Sequence, residues 1–111
     1  MPFEQRIPHP LTVNGVQSYA PNAAGVYGLS NAREWVYIGQ ADDILTALLE
    51  HLRGLDTAIL RWEPTGFVFE TCSGDQRRIR QDCLVLEYAP ICNRGSSRLS
   101  QSALQKRQYG K

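Results

Sequence analysis

The stretch GVYGLSNAREWVYIGQADDILTALLEHLRG, residues 25–54, decides the fold. It opens with two short runs rich in β-branched and aromatic residues, residues 25–30 and 34–39, separated by the turn-forming sequence NAR. Runs of this kind joined by turn residues are typical of an antiparallel hairpin. Trp35 and Tyr37 are two residues apart in the second run, so we expect both on the same face of that strand.

A helix is predicted over residues 42–54, immediately after the hairpin. Asp42 suits the N-cap, Asp43 suits the positive end of the helix dipole, and Gly54 is placed to end the helix. Leucines recur at i, i+3, i+4 and i+7, which gives the helix one apolar face. These are Leu45, Leu48, Leu49 and Leu52.

A third strand and a second helix complete the predicted order β-β-α-β-α. Residues 66–71, GFVFET, alternate so that Phe67 and Phe69 share one face and Val68 takes the other. Ser73 opens a capping-box pattern for a helix over residues 74–88. Pro90 ends that helix, and its predicted buried residues are Ile79, Cys83 and Leu86. The fold class is therefore a small α+β domain, a three-stranded antiparallel sheet flanked by helices.

Both ends of the chain have a different character from this domain, which we assign to residues 24–94. Residues 1–23 contain four prolines and read as an irregular arm, with a short edge strand over residues 11–16 around an Asn-Gly turn. Residues 95–111 form a basic tail with room for a short helix over residues 99–106.

Composition excludes several classes of protein. With 111 residues, 42% hydrophobic and 21% charged, the chain is one small globular domain without an apolar stretch long enough to cross a membrane. Three cysteines and two histidines fit neither a disulfide framework nor a recognisable metal site. We therefore expect no metal site, a reducing compartment and a cytoplasmic location.

Charge is distributed unevenly along the chain. Residues 1–93 carry seven basic and eleven acidic groups, net −4, whereas residues 94–111 carry five basic groups and no acidic one, net +5. A basic tail on an acidic body indicates a polyanionic partner, and an ordinary solvated terminus is the alternative. The candidate nucleic-acid-binding residues are Arg77, Arg78, Arg94, Arg98, Lys106 and Arg107.

The sequence resembles the GIY-YIG nuclease family in four elements that occur in the family's order. They are GVY at residues 25–27, YIG at residues 37–39, His51 after the second tripeptide, and the P-x-x-N element at residues 90–93. The resemblance covers residues 24–94 and implies cleavage of DNA at a phosphodiester with one divalent metal. It gives Gly25, Gly39 and Asn93 the role of structural motif positions.

The resemblance also implies catalytic positions. Tyr27 and Tyr37 would orient a water and a phosphate oxygen, and His51 would stand at the position of a former general base. The alternative for all three is structural: half-buried aromatics on strands and a boundary residue on a leucine-rich helix. Trp35 and Trp62 could likewise stack on bases or pack in the core.

Two charged groups that the resemblance calls for are absent. The arginine expected eight residues after Gly39 is Ala47, and the glutamate expected nine residues before Pro90 is Gln81. Residues 40–52 hold three acidic groups and no lysine or arginine, a charge that repels phosphate. A neutral amide is a poor ligand for a hard cation.

These departures predict a GIY-YIG-like domain that has lost nuclease activity and acts as a nucleic-acid-binding or protein-interaction module. Nucleic-acid binding would be weak and non-specific, and no membrane would be involved. The alternative is an active metal-dependent endonuclease that uses non-standard catalytic positions. No cofactor is expected, and Mg²⁺ is needed only under that alternative.

Overall fold

A computed structural model describes residue 3 and residues 7–54 and 57–93 of the chain. Its elements in chain order are β1 (His9–Pro10), α1 (Val13–Tyr19), β2 (Gly25–Ser30), β3 (Trp35–Ala41), α2 (Ile44–Leu52), α3 (Thr57–Leu60), β4 (Gly66–Thr71), α4 (Gly74–Tyr88) and a 3₁₀ turn (Ile91–Asn93). The helix predicted over residues 99–106 lies outside the described residues. No helix in the described ranges is both long and apolar enough to span a bilayer.

The strands form one antiparallel sheet in the order β1-β4-β2-β3. The α+β class, the hairpin and the strand over residues 66–71 are confirmed, and the sheet has four strands where three were predicted. The additional strand is β1, whose His9 pairs with Phe67 at the edge of the sheet. Two residues carry too little periodicity to be predicted as a strand.

Both faces of the sheet are covered, so the strands lie between two apolar layers. On one face α1 and α2 pack against a core that includes Val16, Leu29, Leu48 and Phe67. On the other face α4 packs through Leu84 against a second core of Phe3, Val26, Ile38 and Val68. The central strands β2 and β4 place side chains in both layers.

Helix α2 follows its prediction closely. Ile44 and Leu48 are fully buried, and the other three leucines of the predicted apolar face are half-buried against the same core. The N-cap is Asp43, not Asp42, because the Asp43 carboxylate accepts a hydrogen bond from the backbone N–H of Thr46 at 3.2 Å. Gly54 follows the helix with φ at +79°, the left-handed conformation that favours glycine.

The predicted edge strand over residues 11–16 is wrong, because this segment enters helix α1. Thr12 caps the helix by accepting a hydrogen bond from Gly15 N–H at 2.9 Å, and Val16 is completely buried. Gly15 allows a close approach, since a Cβ there would lie 2.1 Å from the Pro10 carbonyl oxygen. The Asn-Gly pair therefore lies within a helix and not in a hairpin turn, and Gly15 packs against Pro10.

Helix α4 has its predicted bounds but buries a different face. Ile79 and Leu86 are 60% and 84% exposed, Cys83 is exposed as well, and the helix packs through Leu84. The apolar periodicity was misleading because the face toward the sheet carries polar side chains that bond to the strands. Ser73 is the N-cap, yet its side chain makes no capping hydrogen bond.

The expectation that Trp35 and Tyr37 share a face is wrong as well. A β-bulge interrupts the register between β2 and β3, so that Leu29 pairs with Tyr37 and Ser30 with Trp35. The extra residue, Val36, reverses the alternation. Trp35 therefore packs with the α4 layer, whereas Tyr37 packs with the α2 layer.

Candidate functional site

Three predicted site residues meet in one aromatic cluster on the α2 side of the sheet. The ring centroids of Tyr27, Tyr37 and His51 lie 5.5–6.2 Å from one another. The Tyr27 hydroxyl and His51 Nε2 are 2.7 Å apart, a hydrogen-bond distance. Tyr27 is only 4% exposed. Its ring therefore belongs to the core, while its hydroxyl group contacts the imidazole of His51.

The sheet register positions this aromatic cluster. Tyr27 pairs directly with Gly39 across β2 and β3. A Cβ at Gly39 would lie 2.6 Å from the Tyr27 hydroxyl oxygen and 2.7 Å from the Tyr37 ring. The absence of a side chain at Gly39 is therefore what lets the two tyrosines converge.

Asn93, in the 3₁₀ turn at the end of the domain, is hydrogen-bonded to the YIG tripeptide at residues 37–39. Its Oδ1 accepts a hydrogen bond from Ile38 N–H at 2.7 Å, and its Nδ2 donates to the Ile38 carbonyl at 3.0 Å. One carboxamide thus satisfies both backbone groups of a residue in the edge strand β3, as a neighbouring strand would do. Ile38 lies between Tyr37 and Gly39, so this contact also fixes the backbone that carries Tyr37.

Both polar atoms of the Gln81 side-chain amide form hydrogen bonds. Its Nε2 donates to the Ile38 carbonyl at 3.1 Å, and its Oε1 accepts from Gln40 Nε2 at 2.8 Å. Gln40 was not singled out in the sequence, although strand alternation from Ile38 places it on the face that α4 covers. The pair forms a neutral hydrogen-bonded link between β3 and α4.

A cleft of about 430 Å³ opens beside the aromatic cluster. Its lining includes Tyr27, Asp42, Asp43, Ala47, Glu50 and His51. Ala47 thus faces the cleft at the position where the resemblance calls for arginine. The methyl group of alanine carries no charge with which to meet a phosphate.

The charges around this cleft are acidic. Hydrogen bonds from the Asn22 side chain and from the Thr46 backbone hold the pKa of Asp43 below its usual value. Arg77 approaches from α4, and its Nη1 lies 2.5 Å from Asp42 Oδ1. The guanidinium group of Arg77 is therefore paired with the Asp42 carboxylate. Asp43 and Glu50 leave the cleft with a negative charge.

The other predicted binding residues are not gathered at the cleft. The neighbouring Arg80, which is not one of the predicted binding residues, donates two hydrogen bonds to Glu70, at 2.6 and 2.9 Å, and this partner raises the pKa of Arg80. Arg78 is exposed on α4. Four of the predicted residues lie outside the described part of the chain, namely Arg94, Arg98, Lys106 and Arg107.

The residues present do not fit the divalent cation that this type of fold implies. Gln81 offers a neutral amide whose oxygen already accepts from Gln40. Within residues 7–54 and 57–93, no group of three or more histidine, cysteine, aspartate or glutamate side chains could hold a metal ion. Hard cations of this kind bind through anionic oxygens, which this position lacks.

Solved structures show what the architecture is similar to. The magnesium-bound GIY-YIG N-terminal endonuclease domain of UvrC from Thermotoga maritima matches with 23% identity and a TM-score of 0.62, over 70% of this chain and 94% of that one. A tyrosine-to-phenylalanine point mutant of the same domain, bound to its catalytic divalent cation, matches with 21% identity and a TM-score of 0.61 over 70% and 93% of the two chains. No family model and no curated protein matches the sequence.

The chain therefore has a GIY-YIG-like fold. At this level of identity the likeness to the UvrC domain is a likeness of fold.

Proposed function

We propose that this chain is a GIY-YIG-like module that binds a partner and does not cleave nucleic acid. The observation that carries the proposal is the neutral link made by Gln81 with Gln40 and Ile38. The resemblance puts the metal-holding glutamate at this position. A carboxylate could not donate to the Ile38 carbonyl, so the surroundings of residue 81 suit an amide and not a metal ligand.

The missing arginine supports the same proposal. Preorganised positive charge is what stabilises the charge that develops on a phosphate during cleavage, and the loss of one such donor typically costs about 10²–10³ in rate. Ala47 supplies none, and its neighbours Asp43 and Glu50 carry the opposite sign. The cleft is thus unsuited to the transition state, and position 81 is unsuited to the metal.

The test is a cleavage assay of the complete chain with Mg²⁺ or Mn²⁺ on duplex, branched and single-stranded DNA. The matched control is Tyr27→Phe, which removes the hydroxyl that meets His51 and keeps the ring. We expect no cleavage above background from either protein. Cleavage by the unchanged chain that disappears in Tyr27→Phe would contradict the proposal.

Nucleic acid is the partner that the basic tail favours. Within the described residues, Arg77 and Arg80 are paired with Asp42 and Glu70, so the helix contributes chiefly Arg78. Positive charge in a tail suits contacts to phosphates and the release of counterions, which are not specific for sequence. Binding is therefore expected to be weak, non-specific and steeply dependent on salt.

A titration of labelled single-stranded DNA at about 50 and 200 mM salt tests this partner. The complete chain is compared with a chain that lacks residues 95–111. We expect affinity to fall steeply with salt and to be largely lost without the tail. Tight binding that ignores both changes would contradict the role of the tail.

The acidic cleft favours a second candidate partner, another protein. Asp43 and Glu50 line a concave surface that would accept a basic side chain. In that case the charge-removing pair Asp43→Asn and Glu50→Gln should weaken capture of the partner while leaving DNA binding unchanged. The two partners are thus separated by which set of charges matters.

The Tyr27–His51 contact favours the runner-up, an endonuclease with non-standard positions. A phenol and an imidazole 2.7 Å apart could exchange a proton. Such an enzyme would still depend on Tyr27, so the Tyr27→Phe control described above decides between the two proposals.

A further inference from the structure

A second groove lies at the opposite end of β2 from the acidic cleft. It has a volume of about 380 Å³ and is formed by the β2–β3 turn and by the segment between α3 and β4. The residues that matter for its chemistry are Asn31, Arg33, Glu34, Arg61, Trp62 and Glu63. A volume of this size is within the range of small-molecule sites.

The side chain of Asn31 forms hydrogen bonds to both walls of this groove, the β2–β3 turn and the segment that carries Trp62. The Asn31 Oδ1 accepts hydrogen bonds from the backbone N–H groups of Arg33 and Glu34, both at 2.8 Å. Its Nδ2 donates to the carbonyl oxygen of Trp62, also at 2.8 Å. Asn31 therefore fixes the hairpin turn and the backbone of Trp62 relative to each other.

Trp62 itself is available to a ligand. Its side chain is 41% exposed, in contrast to Trp35, which packs against Phe3 and Tyr88. The next residue, Glu63, has φ at +48°, a left-handed conformation that residues other than glycine seldom adopt. Strained backbone of this kind is found preferentially at binding and catalytic sites.

The charged groups of the groove complement the parts of a nucleotide. Arg33 and Arg61 make no ion pair with any described residue, so their guanidinium groups can donate to phosphate. The indole of Trp62 offers a flat surface for a base, and a carboxylate such as Glu34 or Glu63 can accept from the amino edge of a base.

We propose that this groove binds a base and its phosphate from single-stranded nucleic acid, with the base stacked on Trp62. The proposal rests on the nucleic-acid-binding part of the proposed function and gives it a site on the folded domain. The basic tail would attract the phosphates of the strand electrostatically, and the groove would add stacking of a base on Trp62.

The experiment titrates the complete chain with a labelled single-stranded DNA 12-mer, and with an abasic 12-mer of the same charge, at about 200 mM salt to limit the contribution of the tail. Trp62→Ala is expected to weaken binding of the normal strand roughly 5- to 150-fold, the loss of one stacked base. Binding of the abasic strand should not change. Trp62→Phe, which keeps a stacking surface, should recover much of the loss.

Matched controls separate the groove from the rest of the surface. Tyr19→Ala removes an exposed aromatic on α1, and Arg53→Ala removes an exposed arginine after α2; neither should alter binding. Arg61→Ala should weaken binding of both strands, because it acts on phosphate. Quenching of tryptophan emission by the normal strand should be present in the unchanged chain and absent in Trp62→Phe.

Different results would overturn the groove alone and nucleic-acid binding as a whole. Equal affinity of Trp62→Ala and the unchanged chain for the normal strand would overturn the groove and leave binding by the tail in place. A complete absence of strand binding by the unchanged chain would overturn the groove and the nucleic-acid-binding function together.

Discussion

The aromatic cluster of Tyr27, Tyr37 and His51 and the two positions that lack the expected charges, 47 and 81, differ in what the fold requires of them. The aromatic cluster packs in the α2 layer, and its geometry depends on Gly39. Ala47 on α2 and Gln81 on α4 also contact their surroundings, but they do so without a charge. A domain can therefore lose phosphate chemistry at the charged positions while packing preserves the aromatic ones.

The largest expected effect comes from Gly39→Ala, which disrupts the packing of the aromatic cluster. The new methyl group would lie 2.6 Å from the Tyr27 hydroxyl oxygen and 2.7 Å from the Tyr37 ring. We expect a loss of about 3 kcal/mol in the free energy of unfolding, the upper part of the usual range for overpacking. Urea denaturation measures it, with Gly74→Ala as a control because a Cβ at Gly74 would meet nothing within 4 Å beyond its chain neighbours and its own helix backbone. A neutral Gly39→Ala would contradict the packing argument.

A smaller loss is expected for Asn93→Ala, which removes both hydrogen bonds to Ile38. The Ile38 N–H then has no side-chain partner, whereas its carbonyl keeps Gln81. We expect a loss of about 2 kcal/mol in the free energy of unfolding. Asn93→Asp is the matched variant, since a carboxylate can accept from the N–H but cannot donate to the carbonyl. Asn93→Asp should recover part of the loss in urea denaturation, and an Asn93→Asp protein no more stable than Asn93→Ala would contradict this assignment.

Substitutions at Gln81 test one of the two positions that lack the expected charge. Gln81→Glu removes the donor to the Ile38 carbonyl and puts a negative charge beside that oxygen, while Gln40 can still donate. We expect a loss of about 1 kcal/mol in the free energy of unfolding. The measurement also includes titration with Mn²⁺, which should stabilise Gln81→Glu more than the unchanged chain. Equal effects of Mn²⁺ on both proteins would contradict the view that position 81 decides metal binding.

The smallest expected effect concerns Asp43 and pH. Because the pKa of this carboxyl is lowered in the folded state by Asn22 and the Thr46 N–H, its contribution to stability is present above pH 3.8 and is lost as pH falls through the lower, folded pKa. Asp43→Asn keeps an N-cap and cannot titrate. Melting temperatures between about pH 2 and 5 should fall less steeply in the variant than in the unchanged chain. Parallel profiles would contradict the assignment.

Periodicity and turn chemistry were sufficient to predict the hairpin, α2, β4 and the bounds of α4. These features are local, because each depends on residues within one or two elements. The grouping of Tyr27, Tyr37 and His51 was instead implied by the resemblance to the GIY-YIG family, and the three rings do lie together.

The features that could not be predicted depend on partners distant in the chain. The buried face of α4 contains Gln81, whose polarity is satisfied only by Ile38 and Gln40 on another element. The β-bulge at Val36 is visible only when β3 is paired with β2. The site of Trp62 depends in the same way on Asn31, which precedes it by 31 residues.

The measurement that tests the account most directly is cleavage by the double variant Ala47→Arg and Gln81→Glu beside the unchanged chain. Both proteins are assayed with Mn²⁺ and Mg²⁺ on branched and duplex DNA, and Tyr27→Phe is added to each. The account predicts no cleavage by the unchanged chain, and cleavage by the double variant that is lost on adding Tyr27→Phe. Tyr27-dependent cleavage by the unchanged chain, or a double variant as silent as the unchanged chain, would contradict the claim that the missing charges separate this domain from a nuclease.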